Sequence, residues 1–315
     1  MSAPGLSTPV RQRAEGILGK RFVRNLPLHI MLLPALALLV AYNYIPLVGN
    51  LMAFQKYNPV RGLFRSTWTG WTNFRYVLAM PDTLQVLWNT FFIAVMKLVA
   101  NILVPVFFAL LLNEIRSVRY KRLLQTVIYF PHFLSWVILS GIMIDILSPS
   151  KGIVGQLLSR FGIKPVFFLG DPNWFPFTLV ITETWKEFGF GTIVYLAALT
   201  GIDPTLYESA MIDGANRTRQ VFHITLPGIL PIVTLMTILS MGNILNAGFD
   251  QIFNLYSPQV YATGDILDTL VYRLGLEDAQ YGVATAVGLF KSVVSFVMLS
   301  VSYALAYKYT DYRVF

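Results

Sequence analysis

At 315 residues, with 55% hydrophobic, 14% aromatic and only 13% charged side chains, the chain is too apolar for a soluble globular domain, where about 25% are charged. It contains no cysteine, which excludes a disulfide framework and a thiolate-held metal. The net charge of +8 would suit nucleic acid, but beside charge-free runs of bilayer length it reads as membrane orientation, with no nucleic-acid partner.

In chain order, residues 1–25 form a basic tail carrying Arg11, Arg13, Lys20, Arg21 and Arg24. A charge-free run follows from Asn25 to Gln55, longer than the roughly 20 residues that cross a bilayer. It is also too long for a signal-peptide core, and no small-residue cleavage site follows it, so residues 26–83 read as a first transmembrane helix with its outer loop. That loop, YNPVRGLFRSTWTGWTNF, predicts turns with Trp at the headgroup level. A second span covers about Leu84 to Leu112 and is interrupted only by Lys97, with Asn101 one turn on. Lys97 either faces a polar route, snorkels, or pairs with a sister subunit, and the same choice holds for Lys291 in the last span.

The ten-residue link NEIRSVRYKR suits an antiparallel pair with a third span, the charge-free Leu123 to Ile144. The outer segment Pro149 to Phe175 predicts a short helix (Ile153, Leu157, Leu158, Phe161) ended by Gly162, then a Gly-Asp-Pro turn. A fourth span, about Phe175 to Thr200, holds Glu183, Lys186 and Glu187 near its middle. With Phe190 they fall at spacings of three and four and can share one face. Ionisable groups at such depth either line a polar route or neutralise one another, Lys186 pairing with Glu183 or with a neighbouring span.

Between the fourth and fifth spans lies YESAMIDGANRTRQVFHITLP, from Tyr207 to Pro227. Asp203 before Pro204 makes an N-cap and first turn, and Gly214 supplies a left-handed end. A second short helix runs from Asn216 into Phe222, and Pro227 opens the fifth span. Shape alone leaves two readings, a solvated loop or a helical hairpin at the cytoplasmic surface. The fifth span, Gln220 to Phe249, carries a polar stripe of Ser240, Asn243 and Asn246. DILDTLVYRLGL, with apolar residues at 266, 267, 270, 271 and 274, predicts an amphipathic helix along the interface or against the bundle. A sixth span, about Val283 to Tyr307, leads to a short tail, residues 308–315.

The fold expected is all-α and polytopic, six transmembrane helices, with residues 84–307 forming a five-helix core that includes a cytoplasmic hairpin at 203–227. Lys and Arg number 13 on the side holding both termini and 8 on the other, which places the termini in the cytoplasm. His29, His132 and His223 are scattered without metal-ligand spacing and read as structural. No GxxxxGK[ST] phosphate loop occurs, since Gly19, Lys20 and Arg21 lack both its spacing and its hydroxyl.

Glu208, Ala210, Gly214, Ile224, Leu226 and Pro227 match at the right spacings the EAA motif of membrane subunits of bacterial ABC importers, with Ser209 where Ala is usual. YNPVRG, YFPHFLSW, FFLGDPNWF, YLAALTGIDP, ITLPGILP, FDQIFNLYSP and ATAVGLFKSVVSF extend the resemblance over about residues 26–315, to carbohydrate-importer permeases that handle complex oligosaccharides. The resemblance implies a type I ABC importer permease fold in the bacterial inner membrane, a non-catalytic subunit that binds no cofactor itself. It implies as partners a second homologous permease, two ATPase subunits that use ATP and Mg, an extracytoplasmic solute-binding protein, a sugar or oligosaccharide, and membrane lipid.

By the same resemblance the hairpin is the helix that couples to the ATPase, through Glu208, Ser209, Ala210, Asp213, Gly214, Ala215, Ile224, Leu226 and Pro227. The family's sugar route implies Glu183, Trp185, Lys186, Glu187, Phe190, Ser240, Asn243 and Asn246 as pathway residues, Trp185 and Phe190 as stacking surfaces. The competing readings are an ion-gradient-driven carrier using the intramembrane carboxylates and a membrane enzyme acting on lipid or glycan.

Overall fold

In the computed structural model, the described residues are 25–242 and 244–310, with only the helical backbone described over 305–310. The basic tail before Asn25, Asn243 and residues 311–315 of the expected C-terminal tail therefore lie outside the described residues. The chain is helical almost throughout, as its apolar runs require, because a backbone inside a bilayer has no water to satisfy its polar groups.

The first helix, α1, is Leu26–Leu39; it continues through a wide π-type turn at Val40–Tyr44 into a 3-10 stretch, Ile45–Phe54. Pro46 follows that turn directly, and the extra residue makes room for a ring that would otherwise strike the carbonyl one turn back. None of α1 is buried, and only the Ile45–Phe54 stretch packs on the rest, against the last helix. The outer loop adds a two-stranded antiparallel ladder of β1 (Gln55–Lys56) and β2 (Thr67–Trp68). Phe54 stacks on Trp68 at 5.7 Å and meets the edge of Trp71 at 5.5 Å, so the tryptophans expected at the headgroup level also close this loop. Then come α2 (Thr72–Ala79) and α3 (Thr83–Asn113).

The expected straight third span is instead two helices, α4 (Val118–Tyr129) and α5 (Trp136–Leu147), bent by 104°. Pro131, which lacks an N–H, sits in the 3-10 turn between them, and Ser135 caps α5 by accepting from the Ile138 N–H at 3.4 Å. After α6 (Ile153–Arg160), which ends at the left-handed Gly162 as its sequence predicts, α7 covers Phe175–Thr200. The hairpin helices are α8 (Pro204–Ile212) and α9 (Arg217–Gln220). The chain is helical through Phe222, as expected, but the helix does not stop there. A second π-type turn, Val221–Thr225, joins it to α10 (Leu226–Met241), so Pro227 lies inside a continuous Arg217–Met241 helix instead of opening it.

The fifth span also ends early. α10 ends at Met241, residues 244–248 are non-helical, and α11 (Phe249–Leu255) starts after Gly248, whose φ of +94° favours glycine. The remaining helices are α12 (Tyr261–Gly264), α13 (Leu267–Tyr272) and α14 (Tyr281–Thr310). Of the two placements open for the amphipathic outer helix the structure takes packing against the bundle, with Ile266, Leu267, Leu270 and Leu274 buried.

Among the described residues four helices, Leu26–Phe54, Thr83–Asn113, Arg217–Met241 and Tyr281–Ala304, are long and apolar enough to cross a bilayer, and the bent α4–α5 pair makes up to five. The expected fourth span, α7, is 26 residues long but holds three charged side chains. It packs on α3 in the most extensive helix–helix contact of the described chain. One core cluster joins Ile93, Leu139, Leu179, Ile252 and Ile266 from α3, α5, α7 and the α11–α13 region, and another joins Ala109, Tyr195 and Ile229. Small residues allow these approaches: a Cβ on Gly189 would stand 2.0 Å from the Ile128 carbonyl oxygen, and one on Gly191 3.1 Å from Pro105 Cγ. Gly189→Ala is therefore expected to destabilise the purified protein by about 1–3 kcal/mol, the range for overpacking. Gly141→Ala, where a Cβ would meet nothing within 4 Å, should leave thermal unfolding in detergent unchanged.

Candidate functional site

The polar side chains of α7 sit on one side of the helix, but that side divides along its length. Toward its N-terminal end Glu183 faces Lys97 of α3, Nζ to Oε2 3.9 Å. One turn on, Lys186 donates to Glu187 Oε1 at 2.6 Å and to the His132 carbonyl at 3.1 Å. Glu187 Oε2 lies 2.6 Å from His132 Nδ1. Lys186 thus pairs with its sequence neighbour and not with Glu183. The α4–α5 bend at Pro131 brings His132 here, where its ring lies parallel to Phe190 at 4.2 Å and Trp136 stands 6.0 Å from the Lys186 ammonium. Phe190 therefore has one ring face already covered, whereas Trp185 is exposed. His132 holds Glu187 by its ring nitrogen.

Lys97 does not snorkel. It is buried, its Nζ donating to the Ala247 carbonyl at 2.6 Å and to Gln251 Oε1. A cavity of about 250 Å³ opens beside it, lined by Lys97, Asn101, Glu183, Ser240, Asn246 and Gly248. Ser240 and Asn246 both reach this cavity, yet not as a helical stripe, since α10 ends between them; Asn243 lies outside the described residues. Asn101 Oδ1 and Glu183 Oε2 are buried without a hydrogen-bond partner, so the cavity wall presents two acceptors that only a donor from elsewhere would satisfy.

Asn246 also borders a second cavity of about 640 Å³, together with Asn50, Phe249, Asp268, Tyr272 and Lys291. There Lys291 pairs with Asp268 at 2.5 Å, so the second isolated lysine finds its partner within the chain as well. The cavities thus combine amides, compensated charges and aromatic rings.

The other feature is the hairpin. Asp203 caps α8 by accepting from the Thr205 N–H at 2.9 Å, which holds its exposed carboxyl below the usual carboxylate range. Gly214, at φ +76°, turns the chain, and Asn216 caps α9 by accepting from the Arg219 N–H at 2.9 Å. Tyr207 bonds Thr225 at 3.0 Å, Gln220 Nε2 donates to the Ala215 carbonyl at 3.1 Å, and Arg217 pairs with Glu114 at the end of α3 at 2.8 Å. Ala210, Ala215, Ile224 and Leu226 are half-buried on the inner side, while Glu208, Ser209, Asp213, Gly214 and Pro227 are exposed. Ile212 is 87% exposed beside Met211 and Leu206, an apolar surface that this chain does not cover.

Gln251, Ala247, Asp268 and Glu114 are contributors that sequence reasoning missed. The isolated lysines were the only available signal, because a lone charge in an apolar span requires a partner without saying where it lies.

Comparisons with known proteins agree with this geometry. The family profile for the binding-protein-dependent transport system inner membrane component matches residues 101–311. Protein LplB of Bacillus subtilis (strain 168) is 38% identical over 288 residues, 91% of each chain. The polygalacturonan/rhamnogalacturonan transport system permease protein YteP of the same organism is 36% identical over 291 residues, 92% of this chain and 91% of its own. A chain in the crystal structure of a bacterial ABC transporter involved in import of the acidic polysaccharide alginate superposes with a TM-score of 0.86 at 37% identity, covering 93% of this chain and 99% of that one. A chain of the bacterial alginate ABC transporter in complex with alginate pentasaccharide-bound periplasmic protein matches equally, TM-score 0.86 and 37% identity, over 94% and 99%.

Because Lys186 and Glu187 are each other's nearest counter-ions, Lys186→Met and Glu187→Gln are expected to be non-additive. The double variant should be more stable than the sum of the singles by roughly 0.5–3 kcal/mol, read from unfolding of the four proteins of the cycle.

Proposed function

Because the chain belongs to the family of binding-protein-dependent transport system inner membrane components, we propose that it is the transmembrane permease subunit of an ATP-driven importer of sugars or oligosaccharides. Its fold is that of the type I ABC importer permeases, and it is a multi-pass membrane protein. In this reading six segments cross the bacterial inner membrane, α7 being the fourth and shielded by its partners, with both termini in the cytoplasm. The chain works with a second permease, two ATPase subunits that use ATP and Mg, and an extracytoplasmic solute-binding protein. The permease itself is non-catalytic and holds no cofactor.

The observation that carries the substrate class is a pair of buried acceptors that receive no hydrogen bond, Asn101 Oδ1 and Glu183 Oε2, the latter with only the Lys97 charge at 3.9 Å, in a cavity also lined by Ser240 and Asn246. A hydroxyl-rich ligand supplies donors to both, and Trp185 offers a flat apolar face for a sugar ring. The names of two similar proteins, one a polygalacturonan/rhamnogalacturonan permease and the other an alginate importer, agree with this class. A carrier that relays protons through these carboxylates would need them free to change charge, and Glu187 is instead held between Lys186 and His132.

The hairpin couples the subunit to the ATPase. Its caps and internal bonds make it stiff, its outer surface presents Glu208 and the uncovered Ile212, and Arg217 ties it to α3. In the reconstituted transporter, Glu208→Ala or Gly214→Pro is expected to cut uptake at least about tenfold while the protein still inserts, since Pro cannot adopt a φ of +76°. ATP-dependent uptake at the parent rate in both variants would overturn the coupling role. Replacing Glu183 with Gln should change the apparent affinity for cargo and leave ATPase binding intact.

A further inference from the structure

The unwound stretch between α10 and α11 has no helix of its own to hold it, yet Ile244, Leu245 and Ala247 are buried. What holds it is Lys97. One donor of the ammonium goes to the Ala247 carbonyl, another to Gln251, and Glu183 supplies counter-charge at 3.9 Å. Gln251 is itself fully buried and turns its amide nitrogen toward α7, donating to the Leu179 carbonyl and to Thr182 Oγ1, each at 2.8 Å. One side chain of α3 is thereby linked through the unwound stretch and α11 to α7. Gly248 leaves room for it, since a Cβ there would stand 2.8 Å from Nζ. Asn246, one residue before Ala247, borders both the 250 Å³ and the 640 Å³ cavities, so the stretch is the wall between them.

We propose that Lys97 is a positioning residue for translocation: it bolts the unwound wall between the two cavities to α3 and α7, and cargo-stimulated turnover requires the wall in that place. The proposal rests on the importer reading for what turnover means. It differs from simple neutralisation of Glu183, which would be met equally well by removing both charges.

The chain contains no cysteine, so Ile244→Cys, at a side chain only 5% exposed, gives a unique thiol reporter on the wall. Its labelling rate with a soluble maleimide is measured in the assembled transporter in nanodiscs, beside basal and substrate-stimulated ATP hydrolysis. Adding Lys97→Met, or Lys97→Met with Glu183→Gln, is expected to raise labelling about tenfold, because the buried hydrogen bonds that keep the wall closed are gone. In Lys97→Met substrate stimulation should be lost and basal hydrolysis kept; the double variant, which also removes the cargo-facing Glu183, is read by labelling alone. Gly248→Ala, which retains every charge but crowds the amine, should behave as Lys97→Met does and is the deciding variant if Lys97→Met fails to assemble. Slow labelling in the neutral double variant, or slow labelling and intact stimulation in Gly248→Ala, overturns the proposal. If the parent takes up no sugar while these labelling rates still rise, the importer reading fails and the bolt stands.

Discussion

An amine placed in the apolar middle of a helix bundle has to be matched, and much of this structure follows from how Lys97 is matched. A lone ammonium in hydrocarbon costs roughly 2.5–3.5 kcal/mol on insertion scales, so the surrounding chain supplies a carboxylate, a carbonyl and an amide. The carbonyl is available only because α10 stops at Met241 and leaves backbone groups unspent before α11. Non-helical backbone at membrane depth is tolerated where protein partners satisfy it, which is the service Lys97 and Gln251 perform. Charge and break therefore sustain each other: neither the buried lysine nor the unwound stretch has a stable setting without the other.

The segments of the fold were legible because hydropathy is written locally. α3 and α14 fall within a few residues of their charge-free or nearly charge-free runs, and α6 ends at the glycine its sequence marks. The interruptions were harder to read. Pro131 breaks the third span whereas Pro34, Pro105 and Pro231 stand inside continuous helices. A proline removes one backbone donor in either setting, so the residue itself does not say whether the helix bends or runs on. The end of α10 had a weak signal in Gly242, Asn246 and Gly248, which an uninterrupted apolar run concealed.

The candidate residues divide in the same way. Hairpin positions were legible because capping and left-handed glycine are properties of a few adjacent residues. The partners of the buried charges were not, since Lys97 meets groups about 150 residues away and Lys291 meets Asp268 from another helix. A spacing of three allows Lys186 to pair with Glu183 or to reach a neighbouring span, and geometry decides: Lys186 bonds Glu187 and the His132 carbonyl that the bend at Pro131 presents.

The proline within α3 has its own mechanical meaning. Pro105 lies between Lys97 and Glu114, the residue that holds the hairpin, and a proline there weakens the rod at the point where it would be stressed. α7 acts as a splint across that weak point: Gly191 fits against the ring, and Thr192 Oγ1 bonds the Pro105 carbonyl at 3.3 Å. A load on the Glu114 end of α3 is thus shared by two helices locked side by side instead of being absorbed as a kink in one.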